Sequence, residues 1–485
     1  MLGLEVSGNL SVSGLLLAIL CIYLLGGRLI RIYLFQNTGR SIMRPRPVVQ
    51  VLVVGDIGRS PRMRYHAVSL ADAGCTVDLI GYTETSVGSR ISTHRYVRVR
   101  SLKQAWSVPK SMPKIFYLLW APFKAVFLAI QLWWLMGCIT QYPDFIFVQN
   151  PPSIPTLAIA RMVAFLRQAW LIIDWHNFGY SILAVTLGKT HPVVRLAEKY
   201  ERLFGAKAFA HLTVTDRMKK ELTQWGVEGK LITFKDRPQS HFKRLSLPEI
   251  HQFLSSCRLE TVVKEQSLDV EKFLGMDSSN QATTTLLTEK TDGNVVYRQD
   301  RPRLIVSSTS WTEDENFSLL LNAAELYEKN APDGSPNLLF VITGKGPLKS
   351  HYEEKISRMH LNRTRIVTLW LETQHYPLLL GSADLGISLH TSSSGMDLPM
   401  KVVDMYGCGL PVCAVNFECL DELVVDGKNG LVFDTCDQLA NQLLDLFVKT
   451  PDQLDTLRSN VITEYASLTW EKQWKDVLLA LFPTN

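Results

Sequence analysis

The chain has 485 residues, and single cores rarely grow past ~250–300 residues, so we expect two domains. A formal net charge of +5 is small for this length and predicts no nucleic-acid partner. The eight cysteines lack the paired spacing of a zinc site or a disulfide framework, which indicates reduced thiols in a cytosolic compartment.

The first element is an uncharged apolar run at residues 10–27, long enough to cross a thin bilayer. Glu5 precedes it and a group of arginines follows it: Arg28, Arg31, Arg40, Arg44 and Arg46. A signal peptide would need a basic start and a small-residue cleavage site, so a signal anchor is favoured. Because positive flanks stay cytosolic, residues 1–45 are predicted to be a luminal tip, a single span and a basic linker.

A second apolar region covers residues 115–139. Pro122 and Lys124 near its middle argue against a crossing. Its aromatic residues and single lysine suit a helix in the membrane interface, whereas a core helix of the first domain is the other interpretation. Both interpretations stay open at this point.

Apolar strands then alternate with helical patterns, as expected for parallel sheets covered on both faces. The run "PVVQVLVVGDIGRSPRMRYHAVSLADAGCTVDLIGY" opens a Rossmann-like first domain at residues 46–240. Residues 241–300 break the rhythm and are interpreted as an insertion or linker. A second Rossmann-like domain is predicted at 301–465, followed by a C-terminal helix at 466–485.

The turn "GDIGRSPRMR" places two glycines, a serine and three arginines where the first strand meets its helix. Backbone can approach a phosphate there, and guanidinium forks match phosphate oxygens. Ser60 replaces the third glycine of the dinucleotide fingerprint, so a nicotinamide enzyme is a weak alternative. A tight turn with solvated arginines is the plain structural interpretation.

The segment "DWHNFGYS" follows a buried strand, so Asp174 and His176 are predicted to project from a strand end. Imidazole suits proton transfer or hydrogen bonding to a sugar hydroxyl. A histidine packed beside Trp175 and Phe178 is the alternative.

Three further turns rich in small residues follow strands of the second domain: "SSTSW", "VITGKGP" and "HTSSSGMDLPMK". The last precedes a helix, and its free N–H groups would attract an anion. Asp397, Lys401 and Asp404 have the spacing of one helix face. Together these turns favour a nucleotide diphosphate ligand, whereas a capped helix with a solvated charged stripe is the alternative.

These motifs, with "QNPPSIP" and "NGLVF", occur in an order that resembles the chitobiosyldiphosphodolichol β-mannosyltransferases, from about residue 48 to 480 without the 241–300 stretch. The resemblance implies a GT-B fold: two Rossmann-like domains facing a cleft, here with an N-terminal transmembrane helix. It implies GDP-mannose as donor and dolichol-diphosphate-chitobiose as acceptor. The linkage would be β-1,4, formed with inversion on the cytosolic face of the endoplasmic reticulum.

The resemblance also implies a donor site. Ser393, Ser394 and Gly395 would bind the diphosphate, Lys401 would neutralise its charge, and Asp404 would bind the ribose. Ser308, Gly344, Lys345 and Asp397 complete the predicted set. Retaining GT-B relatives carry two glutamates eight apart here, but Met396 stands in the first position, so that role is not transferred.

Inversion requires a base on the first domain, and His176 is the candidate, with Asp174 and Asp56 behind it. The predicted acceptor-diphosphate residues are Gly58, Arg59, Ser60 and Arg62. No metal cluster or cofactor is predicted, although a magnesium requirement stays open. One alternative is another mannosyl- or N-acetylglucosaminyltransferase of the same fold. The other is a catalytically silent membrane subunit that scaffolds other glycosyltransferases. Other glycosyltransferases of the same pathway are also predicted as partners.

Overall fold

The computed structural model describes residues 46–105, 114–257, 259–266, 273, 284–313, 315–372, 374–392 and 394–482. The predicted anchor at residues 10–27, its luminal tip and most of the basic linker lie outside the described residues, as does Ser393.

The chain divides into two compact units. The first runs to Leu212 and takes in Gln224–Ile232 and the residues from Leu481; the second comprises Thr213–Thr223 and Thr233–Ala480. The chain therefore passes between the units more than once, whereas the sequence suggested a single boundary near residue 240.

The first unit is built on a seven-stranded sheet in the order β3-β2-β1-β4-β5-β6-β7. Its strands are β1 (Val48–Asp56), β2 (Thr76–Tyr82), β3 (Val97–Ser101), β4 (Phe145–Asn150), β5 (Trp170–Trp175), β6 (Lys207–Thr213) and β7 (Glu228–Thr233). β1 pairs in parallel with β2 and β4, and β4 with β5. The strand order reverses between β1 and β4, and ligands of such sheets bind beyond the carboxyl ends of the strands at this point.

The helices along this unit are α1 (Pro61–Asp72), α2 (Ser89–Ser92), α3 (Lys114–Trp134), α4 (Thr156–Arg167), α5 (Gly179–Leu187) and α6 (Pro192–Gly205). Continuous apolar runs such as "VVQVLVV" form the central strands because both faces of the sheet are covered by helices. Val49, Val51 and Leu52 are accordingly fully buried.

The second unit has a six-stranded parallel sheet in the order β12-β11-β10-β13-β14-β15. A helix and a hairpin, α7 (Asp216–Gln224) and β8–β9 (Thr288–Thr291 and Asn294–Tyr297), lie outside that sheet. The strands are β10 (Arg303–Ser308), β11 (Leu338–Thr343), β12 (Thr364–Leu369), β13 (Leu385–Ser388), β14 (Val412–Val415) and β15 (Gly430–Phe433). The order reverses between β10 and β13, so this sheet repeats the Rossmann-like plan.

The remaining helices are α8 (Leu247–Ser256), α9 (Leu259–Gln266), α10 (Ser318–Asn330), α11 (Lys349–Ser357), α12 (Tyr376–Ser382), α13 (Met400–Gly407), α14 (Cys436–Leu444), α15 (Pro451–Tyr465) and α16 (Trp470–Gln473).

The stretch at 241–300, predicted to be an insertion or linker, is a packed part of the second unit where the structure describes it. Ile250, Phe253 and Leu254 of α8 and Leu259 of α9 are buried in one apolar cluster with strand residues of the sheet. Its polar composition hides this because the apolar side chains are confined to one face of each short helix.

Helix α3, in the second apolar region, is not a buried core helix. Its exposed side includes Phe123, Val126, Ile130 and Trp134, each at least half exposed. By length and composition, Pro122–Ile139 could cross a membrane, and only 17% of this segment is buried inside the protein. Helix α3 is nevertheless fixed to the unit: the Gln131 amide bonds the backbone of Lys103 twice, at 2.9 Å each.

Candidate functional site

In the first unit, Asp174 lies at the carboxyl end of β5 and is fully buried. The Arg62 guanidinium, from α1, donates to both of its oxygens, with Nε at 2.9 Å and Nη2 at 2.8 Å. Nε2 of His176 lies 2.8 Å from Oδ2 of the same carboxylate. The strand end and the first helix after β1 therefore share one buried charge, close to the switch point of the sheet.

The charges of this cluster follow from its burial and its partners. Burial alone would raise the pKa of Asp174, but the Arg62 and His176 charges and hydrogen bonds outweigh it and hold that pKa well below the usual range. His66, whose Nε2 is 3.5 Å from Asp174, is also fully buried. Burial lowers the pKa of His66 to about 4, so its ring is neutral near pH 7.

His176 is the member of the cluster that solvent reaches, with 24% of its side chain exposed. Since Asp174 is ionised, Nε2–H of His176 donates to it, and the lone pair of a neutral ring then lies on Nδ1. An aspartate that orients a histidine in this way fixes its tautomer for proton transfer. His176 stays the candidate base, and Nδ1 would be its basic atom.

This geometry argues against three predicted roles. Arg62 is only 2% exposed and its guanidinium binds Asp174, so it is not placed to meet an acceptor diphosphate. Asp174 has a depressed pKa and positions His176 instead of acting as a base. Asp56 accepts hydrogen bonds from Gly58, Glu84 and Thr85, which together outweigh burial and lower its pKa, so it organises its loop.

The other predicted phosphate residues lie in the same turn. A Cβ at Gly58 would come 2.2 Å from Oγ1 of Thr85, so the turn tolerates only glycine there. The Ser60 hydroxyl donates to the backbone oxygen of Asp56 at 3.1 Å. Arg59 is 73% exposed and lies 3.5 Å from Asp56, so its guanidinium is accessible to solvent.

Glu201 of α6 is a buried residue that the sequence analysis missed. Its carboxylate accepts from Nδ2 of Asn150 at 2.6 Å and from the backbone N–H groups of Gly179 and Tyr180 at 3.0 and 3.2 Å. Asn150 is the last residue of β4, and Gly179 and Tyr180 begin α5, three residues after His176. Glu201 therefore fixes the loop that carries the candidate base.

In the second unit, Lys401 of α13 makes an ion pair with Glu315, Nζ to Oε1 at 2.6 Å. Glu315 is 3% exposed, and its other oxygen accepts from the backbone N–H of Ser310 at 2.6 Å and from the Thr309 hydroxyl. Lys401 itself is 29% exposed. Glu315, also missed from sequence, therefore connects the loop after β10 with the helix that carries the predicted diphosphate cation.

The loop before α13 is organised by its own side chains. Oδ1 of Asp397 accepts from the hydroxyls of Ser392 and Ser394, and the Ser394 hydroxyl accepts from the N–H of Met396 at 3.1 Å. The Thr215 hydroxyl donates to the Met396 carbonyl at 2.7 Å. Gly395 has φ +73°, a conformation that favours glycine.

The predicted helix face is wrong in one respect. Helix α13 begins at Met400, so Asp397 precedes the helix and is not in register with Lys401 and Asp404. The N-cap is Pro399, which makes no side-chain cap hydrogen bond.

The remaining predicted donor residues lie at the carboxyl ends of β10 and β11. The Ser308 hydroxyl is 2.9 Å from the Tyr376 hydroxyl. The Thr343 hydroxyl donates to the Ser308 hydroxyl at 3.1 Å. Gly344 has φ +137°, and a Cβ there would come 1.8 Å from the Thr309 carbonyl. Nζ of Lys345 lies 3.9 Å above the ring of the exposed Trp370.

Asp404, the predicted ribose ligand, has a perturbed pKa. Burial, and then the charge of Asp236, raises its pKa well above the usual value. A protonated carboxyl both donates and accepts, so the group suits a pair of sugar hydroxyls no less than an ionised one. Its role at a ribose stays a prediction.

Within the described residues, no group of three or more histidine, cysteine, aspartate or glutamate side chains is arranged to hold a metal ion.

Two family descriptions match the chain: "Glycosyl transferase 4-like domain" at residues 58–234 and "Glycosyl transferases group 1" at residues 290–464. Among solved structures, HepE of Anabaena, determined with UDP and glucose, superposes with a TM-score of 0.59 at 14% identity over 90% of this chain and 99% of that one. Sucrose-phosphate synthase of Thermosynechococcus elongatus also gives 0.59 at 14% identity, over 89% and 97%. At this identity the structures establish the fold alone.

Three curated relatives match far more closely. The chitobiosyldiphosphodolichol β-mannosyltransferase of Mus musculus is 43% identical over 475 residues, 96% of this chain and 94% of its own. The human protein of that name is 41% identical over 451 residues, 89% and 92% of the two chains. "UDP-glycosyltransferase TURAN" of Arabidopsis thaliana is 42% identical over 447 residues, 88% and 95%.

The two parallel sheets and the matches to both glycosyltransferase domains define an enzyme: a glycosyltransferase of the GT-B class. Within that class, the chain belongs to the chitobiosyldiphosphodolichol β-mannosyltransferase family. The fold class and the family predicted from the motifs are both confirmed.

Proposed function

We propose that this protein transfers mannose from GDP-mannose to dolichol-diphosphate-chitobiose with inversion, forming a β-1,4 linkage in lipid-linked oligosaccharide synthesis for protein N-glycosylation. The observation that carries the proposal is the match to relatives of that name over nearly their whole length. The two polar clusters at the strand ends supply the groups that the reaction requires.

The reaction needs a base for the acceptor hydroxyl and positive charge for the leaving diphosphate. The acceptor oxygen attacks the anomeric carbon, the bond from that carbon to the diphosphate oxygen breaks, and GDP leaves with the electron pair. Nδ1 of His176 takes the hydroxyl proton, and the Asp174 carboxylate stabilises the imidazolium that forms. Lys401 neutralises the charge of the diphosphate.

The membrane partner is proposed from a layer of four helices in the first unit. Helix α3 packs on α4, α4 on α6, and α6 on α5. Each helix exposes large apolar side chains: Phe123, Val126, Ile130 and Trp134; Phe165; Val193, Leu196 and Leu203; Ile182, Leu183, Val185 and Leu187. Exposed basic residues accompany them: Lys124, Lys189, Arg195, Lys199 and Arg202.

An exposed apolar surface with basic neighbours suits contact with an anionic lipid leaflet. Because Gln131 and Leu132 fix α3 to the folded unit, the helix would lie along the leaflet and not cross it. This arrangement fits a lipid-linked acceptor on the cytosolic face of the endoplasmic reticulum, with the predicted single span at residues 10–27.

The test is an assay of the full-length protein with labelled GDP-mannose and a short-chain chitobiosyl-diphosphate lipid. We expect a β-mannosylated product, and a His176→Ala variant should lose about a hundredfold or more of turnover. His360→Ala, at an exposed position on the second unit, is the matched control. Near-normal turnover in folded His176→Ala would remove the base assignment, and no product from the wild type would overturn the proposed reaction.

The name of the Arabidopsis relative favours one second candidate, a UDP-sugar donor. The same acceptor assay with UDP-glucose and UDP-N-acetylglucosamine separates the two. Transfer from GDP-mannose alone supports the first proposal, and transfer from a UDP-sugar alone supports the second.

A further inference from the structure

A cluster of arginines lies at the opposite edge of the second sheet from the predicted donor residues. It surrounds a cavity of about 260 Å³. Arg303 is the first residue of β10 and Asp384 immediately precedes β13, whereas Ser308 is the last residue of β10. A strand of this length spans about 20 Å, so the cavity is separate from the diphosphate loop.

The cavity has more positive than negative side chains. Its charged lining consists of Arg244, Arg301, Arg303, Arg458, Asp384 and Asp455. The Asp384 carboxylate is taken by Arg301, whose Nη1 and Nη2 donate to it at 2.7 and 2.9 Å, and it also accepts from the backbone N–H of Leu304. It has little capacity left for another guanidinium.

The other three arginines are less well matched. Arg244 donates to the Ala383 carbonyl and, at 3.4 Å, to the Tyr297 hydroxyl, both of them neutral acceptors. Arg458 pairs with Asp455, whose side chain is 75% exposed, and its own Nε is buried without an acceptor. The Nε of Arg303 is likewise buried without an acceptor. Within the described residues, neither Arg244 nor Arg303 has a carboxylate in ion-pair contact.

Buried guanidinium N–H groups without acceptors are costly, and so is the proximity of like charges. Burial, and next the charge of Arg244, lower the pKa of Arg458. Leu446, Phe447 and Leu454 form an apolar side of the same cavity. A ligand that relieves this arrangement carries at least one negative group with several oxygens and tolerates an apolar neighbour.

We propose that this arginine cavity is a second anion site, which binds a phosphate group independently of the donor nucleotide. Guanidinium forks match the oxygens of a phosphate bidentately. A phosphate here would join α15, through Arg458, to the start of β10, through Arg303, and to the segment before α8, through Arg244. Its binding should therefore stabilise the second unit.

The test is a calorimetric titration of inorganic phosphate into the full-length protein held in saturating GDP, with chloride balancing the ionic strength. GDP occupies the proposed donor site, so phosphate that still binds saturably must bind elsewhere. We expect one such site, a higher melting temperature with phosphate, and at least about tenfold weaker binding in Arg303→Gln. Arg303→Lys keeps the charge and should bind more tightly than Arg303→Gln.

Arg358→Gln is the matched control, because Arg358, which directly follows α11 in the same unit, is 75% exposed and has an ion pair only with Glu354 in the described structure. Absence of saturable binding in the GDP-bound wild type overturns the proposal, as does equal weakening in Arg358→Gln. Vesicles with and without phosphatidic acid identify the source of the phosphate. If the wild type binds the phosphatidic acid vesicles and Arg303→Gln does not, the phosphate belongs to a lipid headgroup. If the wild type binds free phosphate but not these vesicles, the ligand is soluble.

Discussion

The two polar clusters differ in how their charges are held. In the first unit, Arg62 and Asp174 are 2% and 0% exposed, and the aspartate has partners on both oxygens. In the second unit, Lys401 is 29% exposed and holds Glu315 through one short contact. The first pair is enclosed by the fold, whereas the second has a cation that solvent reaches.

The difference shows which group can change partner. Removing Asp174 from Arg62 would leave a buried charge unmatched, so that pair serves to position His176. Lys401 can turn toward an incoming diphosphate while Glu315 keeps its bonds to Thr309 and Ser310. A fixed base and an exchangeable cation suit the proposed inverting transfer, in which the acceptor hydroxyl loses its proton and a charged diphosphate leaves.

The largest effect is expected at the enclosed pair. Asp174→Ala leaves the Arg62 charge buried and should lower the free energy of unfolding by about 3–5 kcal/mol. Asp72→Ala removes an exposed aspartate near Arg90 and His94 and should lower the free energy of unfolding by no more than ~1 kcal/mol. Urea titrations followed by tryptophan fluorescence measure both. Similar losses in the two variants would show that the buried Arg62–Asp174 pair stabilises the fold no more than an exposed pair does.

Much of the fold was predictable, because strands buried on both faces leave continuous apolar runs between helical patterns. The positions of Asp174 and His176 followed from the same rule, since Asp174 lies at the carboxyl end of such a strand and His176 directly follows it. The exchange of chain between the units did not follow, because it depends on contacts between distant segments.

The two buried glutamates could not be found in this way. Glu201 stands near Glu198 and Arg202 on a helix whose sequence resembles a solvated face, and Glu315 lies in the acidic run "TEDENF". Their burial depends on donors from other elements, namely Asn150 and Gly179 in one case and Thr309 and Ser310 in the other. The arginine that looked like a phosphate ligand, Arg62, was misassigned for the same reason.

A second prediction uses the neutral histidine of the enclosed cluster. The pKa of His66 is about 4 in the folded protein against 6.5 as its ordinary value. Between these values the unfolded chain binds the proton and the folded chain does not, so stability is complete above pH 6.5 and falls as the pH drops toward 4. At ~1.4 kcal/mol per pKa unit the loss approaches about 3 kcal/mol.

The groups that face His66 are Asp174, Arg62 and His176. Urea titrations at pH 7 and pH 4 should therefore show a smaller pH dependence in His66→Gln than in the wild type. His360→Gln, an exposed position, should keep the wild-type dependence. An unchanged slope in His66→Gln would mean that the ring is protonated well above pH 4.

The exchangeable cation gives the third prediction. Lys401→Ala should weaken GDP binding by ~1.5–3 kcal/mol, the usual range for a hydrogen bond to a charged group. Lys449→Ala, in which an exposed lysine paired with Asp445 is removed, should bind GDP normally. Calorimetry with GDP measures both variants.

Because Lys401→Ala also leaves Glu315 buried without its cation, lost stability could mimic lost binding. The double variant Lys401→Ala with Glu315→Gln separates the two effects. It should recover melting temperature relative to Lys401→Ala but not GDP affinity. Recovery of GDP affinity in the double variant would show that Lys401 matters only for folding.

The smallest effect is expected at Glu201, which acts on His176 only through the loop between them. In Glu201→Gln, one carboxylate oxygen becomes an amide NH2, which would face either the donors of Asn150 and Gly179 or the donor of Tyr180. We expect a loss of about 1 kcal/mol in unfolding free energy, near the low end for a buried donor left without its acceptor. Glu198→Gln on the same helix, where the glutamate is 34% exposed and pairs with Arg202, is the control and should change little. If Glu201 positions the base, Glu201→Gln should lower turnover severalfold and leave GDP affinity unchanged, whereas a loss of stability with normal turnover would limit it to holding α6 in place.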